Sequence, residues 1–175
     1  MKRKYELKAR AEKQADTRRR ITEATVALHE DVGPARTTVA EVARRAGVTR
    51  LTVYNNFPDE RALFAACQGH WMELHPSPAL DPSAGAERVL RLLYAWYRET
   101  ARMAENVRRD RASVPALDAL MSDTADARMA RLAQAFGGGA VIALALDFWT
   151  WRRLAAEGLD DDEAAALMAR LIERA

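Results

Sequence analysis

The 175-residue chain predicts an all-α fold, and three observations carry that expectation. Long segments place apolar residues three and four apart; none alternates them in the manner of a strand; and glycine, proline or a capping side chain marks the breaks between segments. The elements follow in order. Ile21, Ala24, Leu28 and Val32 form a 3-4-4 stripe that Gly33-Pro34 stops. Upstream, Tyr5 to Arg20 has few breakers and dense mixed charge, so this first helix can begin well before residue 17.

The stretch from 37 to 64 is the most informative. Thr37 and Thr38 offer an N-cap, and Val39, Val42, Ala43 and Ala46 then fall at helical spacing. Gly47 can take the left-handed conformation that ends a helix and turns the chain. Val48 is an apolar plug, and Thr49 can cap a second helix, Arg50 to Asn56, that is too short to stand alone. Pro58-Asp59-Glu60 opens a fourth helix, with proline tolerated and acids favoured in a first turn. This is a helix-turn-helix embedded in a three-helix domain.

His75-Pro-Ser-Pro-Ala-Leu-Asp-Pro-Ser breaks the fourth helix and marks the joint between modules near residue 76. A helix from Ala84 to about Arg108 follows, with Val89, Leu93, Trp96, Thr100 and Met103 on one face. An Arg-rich corner leads to a helix from about Pro115 to Phe136, ended by Gly137-Gly138-Gly139. Ala140 to Ala156 reads as one strongly apolar helix. Asp160 caps the last helix, with Glu163 three positions on as the partner in a capping box. The organisation is a helix-turn-helix domain over residues 1–65 and a helical bundle over 66–175.

Charge divides in a related way. Residues 1–61 hold 14 Lys/Arg against 9 Asp/Glu, a net of +5, and the remainder is −3. A basic front and mildly acidic back suit a nucleic-acid module carried by a separate sensing or pairing module. Lys13, Arg18, Arg19 and Arg20 either reach a DNA backbone or form a self-paired helix face with Glu12, Asp16 and Glu23. The charged N-terminus lacks the apolar core of a signal peptide. No apolar run reaches the roughly 18 to 20 residues of a membrane span. The single Cys67 excludes an intrachain disulfide, fits a reducing cytoplasm, and lies on an apolar helical run that favours burial. His70 and His75 are five apart, the wrong helical spacing to share a metal, and no nucleophile motif or phosphate loop is present. The expectation is a protein that is not an enzyme and carries no cofactor or metal. The rival class is a helical enzyme or carrier built on the aromatic bundle.

The Thr-initiated helix, Ala46-Gly47-Val48, Thr52-Val53-Tyr54, Phe57 and Leu63-Phe64 resemble the DNA-binding domain of the TetR family of bacterial transcriptional regulators, over roughly residues 18 to 65. The resemblance implies a homodimeric cytoplasmic regulator of a palindromic operator, most simply a repressor released by a small apolar or aromatic inducer. The alternative is a DNA-binding activator or a regulator governed by a protein partner. It implies DNA contacts from Thr38, Thr49, Arg50, Leu51, Thr52, Tyr54, Asn55 and Asn56. Arg50 is the best base reader, since a guanidinium can grip O6 and N7 of guanine. Thr52 and Tyr54 are the backbone anchors, and Asn55 or Asn56 serves either purpose. Thr38 can bond phosphate beside free backbone N–H groups. Two positions depart from the family pattern. Leu51 stands where a small residue is usual, so it either meets a thymine methyl or packs on Tyr54. Glu60 replaces a phosphate-contacting lysine, with Arg61 beside it.

In the second module the resemblance implies an inducer pocket, with Trp71, Trp96, Tyr97, Met103 and Met121 as candidate lining residues. Aromatic stripes at helical spacing also build plain core. The last two helices carry more apolar surface than one neighbour covers. Val141, Ile142, Ala145, Phe148, Trp149, Leu167 and Leu171 are therefore the candidate dimer interface, which family members form as a four-helix bundle.

Overall fold

The computed structural model describes residues 2–175, with side chains from residue 8 onward. The expected helix start at Tyr5 therefore has no described side chain, although the backbone of α1 is helical over Lys2–Asp31. No strand occurs among the described residues. The other helices are α2 (Val39–Ala46), α3 (Arg50–Asn56), α4 (Glu60–Leu74), α5 (Ala86–Asp110), α6 (Pro115–Met121), α7 (Ala127–Ala135), α8 (Ala140–Leu146), α9 (Phe148–Ala156) and α10 (Asp161–Ile172). No described helix is long and apolar enough to cross a membrane.

The chain forms two compact units, Met1–His75 with Glu105–Leu120, and Pro76–Ala104 with Met121–Ala175. This differs from a division at 65/66. All of α4 stays with the first unit because it packs on α1 and buries Cys67 there. The last turn of α5 joins it as well, through polar contacts to the end of α1.

In the first unit α1 packs against α2 and α4, and α2 against α3. The core holds Ile21, Ala24, Leu28, Val42, Ala43, Ala46, Val53 and Phe57. Local chemistry sets each boundary. Thr38 accepts from the Glu41 amide at 3.2 Å to start α2. Gly47, at φ 66°, ends it with the Val48 amide donating back to Ala43 O at 2.9 Å. Asp59 accepts from the Ala62 amide at 2.7 Å to start α4.

The end of α1 is held by a polar clasp from α5. Asn106 Nδ2 donates to His29 O and Glu30 O at 3.0 and 2.8 Å, and its Oδ1 accepts from Arg109 Nη1 at 2.8 Å. Asp110 Oδ2 accepts from the Ala35 amide at 3.0 Å, and Arg109 Nε donates to Asp110 Oδ1 at 2.7 Å. Burial pushes the Asp110 carboxyl up, but the Arg109 and Ala35 hydrogen bonds outweigh it and hold the group below its ordinary range. Gly33, at φ 95° and ψ 157°, lets the chain pass directly beneath this pair.

His29 is buried and stacked on Phe64, with centroids 5.3 Å apart. Desolvation lowers its pKa to about 4, with the Asp110 charge opposing in part. The unfolded chain, titrating near ~6.5, therefore takes up this proton before the folded one does. The stability that neutral His29 contributes is complete above that value and is lost as pH falls toward 4. Between pH 7 and 5 the first unit should lose about 2 kcal/mol. Urea titrations at the two pH values check this, with His29→Phe expected to flatten the response.

In the second unit α8 packs against α7, α9 and α10. Its core contains Leu90, Leu93, Tyr94, Tyr97, Leu132, Ile142, Ala145, Phe148, Trp151 and Met168, among others. Tyr94 and Tyr97 donate their hydroxyls to Ala145 O and Leu146 O at 2.7 and 2.8 Å, satisfying carbonyls at the end of α8. The capping box forms at α10: the Glu163 amide donates to Asp160 Oδ1 at 2.8 Å, and the Asp160 amide to Glu163 Oε2 at 3.0 Å. Two expected helices are interrupted. Asp147 is extended and accepts from the Thr150 amide at 2.8 Å, so the run from 140 to 156 becomes α8 and a separately capped α9. Between α6 and α7, Ser122–Asp126 forms a π-helical turn, widening the backbone inside the expected 115–136 helix.

Candidate nucleic-acid interface

Two buried side chains orient α3. Val53 and Phe57 point into the first unit's core. At seven residues and about 1.5 Å rise each, the helix is about 10 Å long, close to the roughly 12 Å width of a DNA major groove. The opposite face is open. Leu51 is 68% exposed and Tyr54 58%, and Arg50 and Asn55 are exposed beside them.

The arginines near the motif divide by partner. Arg44 pairs with Glu41, and Arg45 Nη1 lies 2.8 Å from Asp31 Oδ2. Arg50 has no side-chain partner among the described residues. An unengaged guanidinium at the first turn of a short exposed helix can meet a base edge without breaking an existing bond.

The two capping threonines retain donor capacity. Thr38 spends a lone pair on Glu41 N–H, which leaves its own hydroxyl proton for a phosphate oxygen. Thr49 accepts from the Thr52 amide at 3.1 Å and shares a 2.8 Å hydrogen bond with the Thr52 hydroxyl. That pair uses one of its two hydroxyl protons internally. Asn56 is placed less favourably for reading bases: it is half-buried, and its Nδ2 donates to Thr52 O at 2.8 Å. Leu51 stands out in solvent, away from the core that holds Val53. Glu60 is exposed in the first turn of α4, with Asp59 as its N-cap, so two carboxylates occupy that helix start.

The arginines on α1 are engaged within the first unit, although Arg18 and Arg19 remain exposed. Arg19 bonds Asp16 and Glu23 at 2.6 and 2.8 Å. Arg20 Nη1 donates to Ala46 O at 3.0 Å. Arg18 donates to Asn56 O and lies over the Phe57 ring. Sequence reasoning had these residues as possible backbone contacts. Arg19 and, in part, Arg20 follow the self-paired alternative through Asp16 and Glu23, whereas the Arg20 and Arg18 bonds to Ala46 and Asn56 reach 26 and 38 positions away, beyond any local pattern.

Among the candidate ligand residues, Trp71 is half-buried in the first unit, its ring 4.6 Å from His75. Trp96, Tyr97, Met103 and Met121 belong to the second unit. Tyr97 is taken up by core, edge-on to Phe148 at 5.3 Å with its hydroxyl bonded. Met103 and Met121 are buried, and Trp96 half-buried. Three of the residues expected at a dimer interface need correction. Ile142, Ala145 and Phe148 are buried against their own chain, leaving no surface for a second copy. Val141 and Leu167 are half-buried. Trp149 and Leu171 are exposed, as is Leu144, which sequence reasoning passed over.

Comparison with known proteins points the same way. The family model for bacterial regulatory proteins of the tetR family matches residues 21–67. Over 52 residues the chain is 50% identical to HTH-type transcriptional regulators, themselves uncharacterized, from Mycobacterium tuberculosis and Mycobacterium bovis. That match covers 30% of this chain and only 28% of each relative's length. Two solved structures share the fold more widely. A TetR-like transcriptional regulator from Rhodococcus sp. RHA1 superposes with a TM-score of 0.61 at 19% identity, covering 90% of this chain and 94% of that one. A candidate TetR-family regulator from Mesorhizobium loti gives 0.57 at 19% identity, covering 92% and 95%. Beyond residue 67 the likeness is one of fold.

Proposed function

We propose that this chain is a TetR-family transcriptional regulator, a reading supported by the match over residues 21–67, and that it is a homodimeric repressor, released from a palindromic operator by a small ligand. The observation that carries the reading is the open face of α3. Arg50, Leu51, Tyr54 and Asn55 project from a helix locked from behind by Val53 and Phe57. A planar donor, two apolar surfaces and an amide are the chemistry that reads base edges and thymine methyl groups. Pairing is supported by Leu144, Trp149 and Leu171, large apolar side chains left exposed on three successive helices. A twofold dimer presents two copies of α3 to half-sites related by the same symmetry.

Release by a ligand requires differential binding. Moving the population from 1:99 to 99:1 takes about 5.5 kcal/mol in favour of the form that does not fit the operator. The aromatic residues of the second unit suit an apolar or aromatic inducer.

Selection of genomic DNA fragments by the purified protein at moderate salt tests the reading. A recurrent palindrome is the expected result, whereas a folded protein that enriches no sequence would sink it. On the selected site, Arg50→Ala should cost roughly 1–3 kcal/mol at one base pair and relax choice there. Uniform weakening on every base variant would instead assign Arg50 to a phosphate.

A further inference from the structure

Helix α3 is less than two turns long and cannot hold its own conformation. Thr49 caps its start, but its end lacks a comparable side-chain cap of its own. Phe57, the residue that closes it, is extended, and the Asn56 amide nitrogen is committed to Thr52 O. Support comes from α1. Arg18 Nη1 donates to Asn56 O, the last carbonyl of α3, while the guanidinium lies 4.1 Å from the centroid of the Phe57 ring. Two residues on, Arg20 donates to Ala46 O, the last carbonyl of α2. Neighbouring arginines thus place a cation at the negative end of each helix of the motif. The planar group of Arg18 makes both contacts at once, a stacking and hydrogen-bonding geometry that a lysine ammonium does not reproduce.

We propose that Arg18 is a positioning residue for the DNA-reading helix: it sets the seating of α3 through Asn56 and Phe57, touches no nucleic acid, and is required for sequence discrimination. This rests on α3 being the element that reads DNA. A phosphate contact at the same position would behave differently, because it adds affinity on any sequence together with salt dependence.

The test uses the full chain as wild type, Arg18→Ala and Arg18→Lys, on the selected operator and a scrambled duplex across a salt series. Hydrogen exchange on the DNA-free proteins runs alongside. Arg18→Ala should lose about tenfold on the operator and little on the scrambled duplex, with the salt slope unchanged and lysine restoring only a minor part. The amides of Val53 to Phe57 should exchange faster in Arg18→Ala, while those of α4 keep their protection. Equal losses on both duplexes, a salt slope reduced by about one and full rescue by lysine would make Arg18 a phosphate contact and overturn the proposal. Unchanged exchange at the end of α3 would overturn it too. Should the wild type prefer no duplex, the reading of α3 as the DNA-reading element falls. The exchange comparison then decides the clamp separately, faster exchange supporting it and unchanged exchange refuting it.

Discussion

Gly33→Ala is expected to destabilise the first unit by about 3 to 5 kcal/mol, from two sources. The backbone there, at φ 95° and ψ 157°, is a region that only glycine occupies without strain, worth ~1–3 kcal/mol. A Cβ would also collide with Arg109 Nη2 and Asp110 Oδ2. Relieving that collision pulls Asp110 from the Ala35 amide, and stranding a buried hydrogen-bonding group costs ~1–3 kcal/mol more. Gly85 supplies the control. Its backbone is nearly the same, φ 88° and ψ 155°, but a Cβ added there meets nothing within 4 Å. The excess of Gly33→Ala over Gly85→Ala in urea unfolding therefore measures the clasp. Equal losses would show that the Asp110 contact contributes nothing.

Phe148→Ala should cost the second unit about 3 to 5 kcal/mol, the range for truncating a fully buried aromatic. Phe148 is 1% exposed, with Tyr97 and Trp151 rings 5.3 and 5.4 Å away. Its neighbour Trp149 is 47% exposed with its ring edge-on to Phe148 at 5.2 Å, so Trp149→Ala should cost the unit much less than Phe148→Ala and weaken self-association as well. Urea unfolding at two protein concentrations, with sedimentation of the native proteins, separates the cases. A Phe148→Ala protein that unfolds like wild type but dissociates more readily would return Phe148 to the interface.

These contrasts explain what could be read in the sequence. Helix starts were legible because their chemistry is local: Thr38 to Glu41, Thr49 to Thr52, Asp59 to Ala62 and Asp160 to Glu163 each span three residues. The same signal lay in Asp147 and Thr150, where the apolar run on both sides masked it. The open face of α3 was legible too, since Val53 and Phe57, four positions apart, mark its buried side, although Leu51 is apolar and exposed. Arg18 and the Asn106–Asp110 clasp were not. Their partners lie 38 and 75 to 77 positions away, and no periodicity reports a contact made that far along the chain. Nor does composition say whether a leucine or phenylalanine is covered by its own chain or by another copy, which is why Phe148 and Trp149 read alike.

The burial of Cys67 has a practical consequence. Its thiol lies under α1, Sγ 4.0 Å from Thr22 O, and desolvation pushes its pKa up to about 12. It is the chain's one cysteine, and it sits in the first unit, whereas three of the four tryptophans sit in the second. A disulfide reagent added to the native protein would therefore be consumed only as fast as the first unit opens, while tryptophan emission would be dominated by the second. The chain carries its own clock for one half and its own lamp for the other, so the unfolding of each can be timed in a single unlabelled sample.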